Sequence, residues 1–191
     1  MKSKGYTVIE LLAVVTILVT VTGIIAALIT QTLRGSSRTN ITNQVSQSGN
    51  YIASVLTNTI ITAEDVIAIN GETISDCTQN PTGSSIEFLI SERRGSVIYA
   101  CENDSISSNS ASLQDEDSAA VSLIDTSKLK IDTSSPSACY FTCRQASNDP
   151  YTPPVIEFGF TLTQDLTDAL YDSRDSAPFS TSVLMRSYAP K

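Results

Sequence analysis

The sequence predicts an α+β protein: a long N-terminal α-helix, membrane-spanning in its first half and amphipathic in its second, packed on an antiparallel β-sheet head. Three observations predict it. Residues 8–29 are an almost unbroken apolar run whose one charge is Glu10, and an apolar face at helical period continues beyond it with no proline before Pro81. From residue 64 onward, short alternating runs are separated by tight-turn dipeptides such as Asn70-Gly71. All four cysteines, Cys77, Cys101, Cys139 and Cys143, fall in that second part. The 191 residues leave room for one domain and an anchor, since a domain takes about 100–200 residues.

Residues 6–30 form the first part of the helix. About 20 apolar residues at about 1.5 Å each cross a hydrocarbon core of about 30 Å. A carboxylate inside such a span costs at least ~2.5 kcal/mol on insertion scales, so Glu10 calls for a partner. Residues 31–63 continue the helix as an amphipathic segment. Ile41, Val45, Ile52, Leu56 and Ile60 recur at spacings of four and seven, with Ser48 in the gap and Val55 widening the stripe. No charged residue occurs from Asn40 to Ala63, so this helix needs a surface to lie on. Gly35 and Gly49 each cost it up to about 1 kcal/mol. A continuous helix from Tyr6 to Thr62 would be on the order of 85 Å long.

Residues 64–191 make the head. Residues 66–69 and 72–74 flank Asn70-Gly71 as a hairpin. Residues 85–90 and 96–101 flank Arg94-Gly95 and pair, with Cys77 just before this hairpin and Cys101 at its end. That placement predicts a Cys77–Cys101 bridge. Cys139 and Cys143 would bridge each other only across a bulge or turn, because a flat strand holds their Cα atoms too far apart. Residues 102–119, rich in Ser, Asn and Asp and including Asp115-Glu116-Asp117, read as a surface loop. Strands resume at 120–124, 129–132 and 138–143, then at 155–162 after Pro153-Pro154, and finally at 182–188. Strands that succeed one another without a long intervening helix imply an antiparallel sheet.

Composition narrows the function. The net charge of −8 is uneven: Lys2, Lys4, Arg34 and Arg38 bracket the apolar run, and acids outnumber bases from Glu64 onward. An acidic head argues against a bulk electrostatic grip on nucleic acid. The chain has no histidine, which removes Ser-His-Asp and Cys-His nucleophiles and any histidine metal site. A base would have to be Lys128, Lys130 or a carboxylate, and no motif joins them, so the reading is non-catalytic, without a cofactor. An even set of cysteines behind an export-type N-terminus reads as two disulfides in an oxidising compartment, with three connectivities open. A four-thiolate zinc site competes, but it wants short paired Cys-x2–4-Cys units that the set as a whole lacks.

A secretory signal places its processing site after the apolar core; here a basic stretch and Gly5 come before it. Lys4-Gly5-Tyr6-Thr7-Val8-Ile9-Glu10-Leu11-Leu12 resembles the class III signal peptide of type IV pilins and type II secretion pseudopilins. The resemblance implies that residues 1–5 are a leader, that a prepilin peptidase cuts between Gly5 and Tyr6, and that the Tyr6 amine is then methylated. It implies that Glu10 pairs with the N-terminal amine of a neighbouring subunit, and a buried carboxylate is tolerable when an opposite charge meets it. It further implies a structural subunit whose partners are other pilin or pseudopilin subunits and an inner-membrane assembly platform. Such a subunit sits in the inner or cytoplasmic membrane in a single pass, head outside, and then in a cell-surface or periplasmic filament. Lys2 and Lys4 on the cytoplasmic side follow the positive-inside preference.

There are two departures: Tyr6 stands where phenylalanine is commoner, which keeps the aromatic ring, and no proline falls at Ala27, an absence that points away from the bulk filament subunit. Long helix, sheet and disulfides in that order are similar to the larger minor pilins and the J-type pseudopilins. Some pseudopilins bind calcium in a C-terminal loop, and Asp165, Asp168, Asp172 and Asp175 would suit that ion. They lack a recognised calcium-loop pattern, and a solvated acidic loop is the plainer reading. The alternative function is a single-pass anchored extracytoplasmic binding or enzymatic domain that never assembles, is not cut after Gly5 and tolerates Glu10→Ala.

Overall fold

A computed structural model describes residues 7–91, 95–111, 120–132, 138–145, 152–164 and 176–189. The fold is α+β. Helix α1 spans Val8–Thr62. The chain divides into two compact units, residues 1–42 and 43–191. The first contains the apolar part of α1. The second contains the rest of α1 and both sheets.

In the second unit α1 buries the predicted stripe. Val45 is 2% exposed, and Ile52, Leu56 and Ile60 are fully covered. Val55 is half-buried; the side chain of Ile41 lies outside the described residues. Each of these aliphatic side chains contributes about 1.5–3 kcal/mol by leaving water, and a polar, uncharged helix has little else to hold it. Gly49 sits in the same stripe for a steric reason: the ring of Phe179 occupies the place a Cβ would take. Phe179 stacks in turn on Phe160, with centroids 5.2 Å apart. On a neighbouring face the Thr59 hydroxyl and the Tyr99 hydroxyl lie 2.8 Å apart, and Tyr99 meets Phe88 edge-on at 6.4 Å.

The helix ends without a glycine cap. The Thr62 hydroxyl donates to the Asn58 carbonyl at 2.9 Å, and the Ser187 hydroxyl donates to the Ile61 carbonyl at 3.2 Å. The Ala189 N–H reaches the Glu64 carbonyl at 2.8 Å. Carbonyls left over at a helix C-terminus need donors, and Ser187 supplies one for Ile61.

Among the described residues, the strands are β1 Asp65–Ile69, β2 Glu72–Thr73, β3 Thr82–Gly83, β4 Ser85–Ser91, β5 Gly95–Glu102, β6 Ser105–Ala111, β7 Val121–Ser122, β8 Leu129–Ile131, β9 Cys139–Arg144, β10 Val155–Gln164 and β11 Ser176–Leu184. They form two antiparallel sheets, in the orders β2-β1-β4-β5-β6-β7 and β11-β10-β9-β3, with β8 also paired to β10. Register puts apolar side chains opposite one another, as in Val66 with Phe88, Ile86 with Tyr99, and Phe158 with Phe141. A bulge between Val66 and Ala68 breaks the strict alternation of β1, so that Ala68 and Ile69 are both buried.

The chain passes from the second sheet to the first at Ser84, between β3 and β4. The β1–β2 turn secures that passage. Asn70 and Gly71 have φ of 54° and 76°, the geometry that makes Asn-Gly a hairpin dipeptide. The Asn70 side-chain oxygen then accepts from the Ser84 N–H at 2.8 Å and the Ser85 N–H at 3.3 Å.

Three expectations are corrected. Residues 105–111 are strand β6, paired along its whole length with β5, and not a loop. Their turn is Asn103-Asp104, with φ of 51° and 58°, and Ile106 is the fully buried side chain that anchors the strand. Asp115-Glu116-Asp117 and Arg94 lie outside the described residues. The final strand runs over 176–184 rather than 182–188, because beyond Met185 the chain leaves the sheet and Ser187 and Ala189 bond near the end of the helix.

The third correction concerns the cysteines. The bridges are Cys77–Cys143 and Cys101–Cys139, not Cys77–Cys101. Cys139 and Cys143 point to the same inward face of β9, four residues apart. At about 3.3 Å per residue that is about 13 Å, beyond the reach of one disulfide. One end of β9 therefore meets Cys101 on β5, tying the two sheets together, and the other meets Cys77 in the segment after β2. With all four sulfurs bridged, none is left to ligate zinc. Chain-entropy arithmetic for separations of 66 and 38 residues gives about 4 kcal/mol per bridge.

Candidate functional site

The candidate site is the start of α1 and the apolar span that follows. Gly5 and Tyr6 lie outside the described residues. From Thr7 onward the geometry is a helix N-terminus with the glutamate half of a capping box. The Thr7 carbonyl accepts from the Glu10 N–H at 3.1 Å and from the Leu11 N–H at 3.2 Å, which opens the helix. Glu10 reaches back, its Oε2 lying 3.5 Å from both the Thr7 N–H and the Thr7 hydroxyl. Thr-Val-Ile-Glu is the sequence such a box requires, and a carboxylate in the first turn also meets the positive end of the helix dipole. Glu10 thus has a local partner, although its side chain is exposed within the chain.

Val8–Leu33 is one stretch of 26 residues, long and apolar enough to cross a membrane. At about 1.5 Å per residue it measures about 39 Å against a hydrocarbon core of about 30 Å. Its large side chains, from Val8 to Leu33, are exposed, Val8 by 80% and Leu33 by 66%. The threonines within it do not spoil its apolar character. Thr16 donates to the Leu12 carbonyl at 2.7 Å, Thr22 to Leu18 at 2.7 Å, Thr30 to Ala26 at 2.8 Å and Thr32 to Leu28 at 2.8 Å. Thr20 donates to the Ile17 carbonyl at 2.9 Å. A hydroxyl that bonds its own helix carries no unmet donor into lipid or into a helix bundle.

Compared with family models, curated proteins and solved structures, the chain matches none.

One feature of this span went unread in the sequence. Ala13, Thr16, Thr20, Gly23, Ala27 and Thr30 alternate at spacings of three and four, so small residues share one helix face. Gly23 stands on it with no atom within 4 Å of the place its Cβ would take. Gly49 is explained by a neighbouring ring in its own chain; Gly23 has no such neighbour among the described residues. The signal was there as a period of 3.5 in side-chain size, hidden beneath the uniform hydrophobicity of the run.

The other residues singled out in the sequence do not join this site. Asp165, Asp168, Asp172 and Asp175 lie outside the described residues. Among the described residues, no three or more of Asp, Glu, Cys and His stand together as a metal site would require. Lys128 pairs with Asp125 at 3.6 Å, both largely exposed. Asp125 belongs to a local turn in which Ser127, through its hydroxyl and its N–H, holds the carboxyl below its ordinary range; Thr78 does the same for Asp76. On the outer face of β9 and β10, Glu157 accepts from the Tyr140 hydroxyl at 3.3 Å and meets Arg144 at 3.1 Å. Such surface pairs contribute about 0–1 kcal/mol.

Proposed function

We propose that this chain is a type IV pilin-like structural subunit, a minor pilin or pseudopilin, cut by a prepilin peptidase between Gly5 and Tyr6 and assembled through its N-terminal helix. The observation that carries the reading is an apolar helix with its large side chains exposed and a single carboxylate in its first turn, directly after Lys-Gly-Tyr-Thr. Cleavage would leave the helix with a free amine at Tyr6, four residues from Glu10. In the membrane, lipid covers the exposed side chains; in a filament, neighbouring helices cover the same side chains. A carboxylate pairing with the amine of the next subunit sets the axial register of that exchange, because an unpaired charge in such a core costs several kcal/mol. The disulfide-bonded head faces outward and determines what the filament touches.

The test is intact mass and N-terminal sequencing of the unreduced protein from its native membrane or filament fraction. The expected product begins at methylated Tyr6 and carries four oxidised cysteines. A chain that still begins at Met1 where the peptidase is active overturns the reading.

The capping box favours a second reading, in which Glu10 only starts the helix of a non-assembling anchored domain. Glutamine serves this box position as well as glutamate does, so Glu10→Gln keeps the cap and removes the charge. Under the assembly reading, both Glu10→Gln and Glu10→Ala insert in the membrane and fail to enter filaments. Normal incorporation of Glu10→Gln would leave the residue its capping role alone.

A further inference from the structure

The two disulfides are nested: Cys77–Cys143 encloses Cys101–Cys139. As the head crosses the membrane, the residues nearest the apolar helix emerge first, which exposes Cys77 and then Cys101, 24 residues later, before either of their native partners. Loop-closure statistics favour the same wrong partner for Cys77. A 24-residue loop closes roughly fivefold more readily than the 66-residue loop of the native Cys77 bridge, by the three-halves power of length. The mistake is also complete. A Cys77–Cys101 bridge uses one partner from each native bridge, and the two cysteines left over, Cys139 and Cys143, cannot bridge each other once β9 forms and holds them about 13 Å apart on one face. Nor does β9 stand in place early, because it pairs over its whole length with β10, which follows it in the chain.

We propose that maturation of the head passes through thiol–disulfide exchange, in which the β9 cysteines displace an early Cys77–Cys101 bridge, and that the chain is a client of a thiol–disulfide isomerase. The first step is redox-neutral. The Cys143 thiolate attacks the Cys77 sulfur, the Cys77–Cys143 bond forms, the Cys77–Cys101 bond breaks, and Cys101 leaves as the thiolate. Cys101 and Cys139 then lose two electrons and two protons to a disulfide oxidant, which is reduced to the dithiol. An isomerase accelerates the first step by supplying an accessible attacking thiolate of its own, before folding buries all four cysteines. The inference rests on the exported location of the head under the proposed function, but its test does not.

The full chain is reduced and unfolded in detergent micelles, reoxidised in a glutathione redox buffer, trapped by alkylation at intervals and mapped by non-reducing peptide mass spectrometry. The expected course is an early Cys77–Cys101 species that decays as Cys77–Cys143 and Cys101–Cys139 appear together, and whose decay a purified protein disulfide isomerase accelerates severalfold. Cys139→Ser with Cys143→Ser removes the displacing thiols and is expected to hold the Cys77–Cys101 bridge indefinitely, a result that needs no native fold. Native pairing without that species overturns the proposal, as does decay that the isomerase leaves unchanged. So does a double variant in which Cys77 and Cys101 fail to bridge.

Discussion

Gly49 and Gly35 both sit inside α1, yet a methyl group added at each meets different surroundings. At Gly35 no atom lies within 4 Å, so Gly35→Ala gains up to about 1 kcal/mol of local helix stability, read as slower amide exchange around residue 35. At Gly49 the same change drives a Cβ into the Phe179 ring, and overpacking of this kind costs about 1–3 kcal/mol. A lower Tm is expected, partly restored by combining Gly49→Ala with Phe179→Leu. Tyr99 adds a dependence on pH. Burial pushes its hydroxyl above the ordinary value of about 10, while the Thr59 hydrogen bond pulls the other way. With the folded pKa raised, the neutral phenol's contribution is complete below about pH 10 and is lost as pH rises through the folded value. Tyr99→Phe should lose about 1 kcal/mol at neutral pH with the Thr59 bond, and its stability should fall less steeply than wild type on the alkaline side. Equal losses of stability between neutral and alkaline pH in wild type and Tyr99→Phe, read from denaturant midpoints, would refute this.

At the scale of the element, α1 was legible because its two halves obey two simple patterns, unbroken hydrophobicity and then a stripe at helical period. Val45, Ile52, Leu56 and Ile60 are buried where that stripe put them. Strand β6 was illegible for the converse reason. Ser-Ile-Ser-Ser-Asn-Ser-Ala has one strand-forming side chain, and what holds it is the backbone ladder with β5 and one buried isoleucine. The shift in β11 has a similar origin, since Phe179 is the one large apolar side chain from Ser176 to Ser180 and the segment is placed by its pairing with β10. The small-residue face of the span belongs to this scale as well. If helices approach one another there, Gly23→Leu should leave membrane insertion intact and reduce incorporation into filaments at least tenfold, whereas Ile24→Leu should be near neutral. Equal incorporation of the two variants would count against that face.

At the scale of the molecule, the α+β class and the antiparallel head could be read from the order of patterns along the chain. The pairing of the cysteines could not. Sequence proximity and hairpin logic both favoured Cys77 with Cys101, whereas the decision is tertiary: it depends on β9 presenting two inward sulfurs to two different segments at once. The start of α1 stands between these cases. Its motif pointed to Glu10 at once, but the capping box, which uses the same carboxylate locally, became visible only with the Thr7 distances in hand.

The nested bridges also bear on how the head would respond to mechanical load. In a chain pulled between its N-terminal helix and its C-terminal strand, tension passes through the Cys77–Cys143 bond rather than through the 65 residues between those cysteines. At about 3.3–3.6 Å per extended residue, that bond withholds about 220–240 Å of contour length from a pulling force. Under oxidising conditions the head can therefore lose β11 and its helix packing while the loop carrying β4, β5 and β6 bears no load, and it recovers from a partly intact template when the force is released.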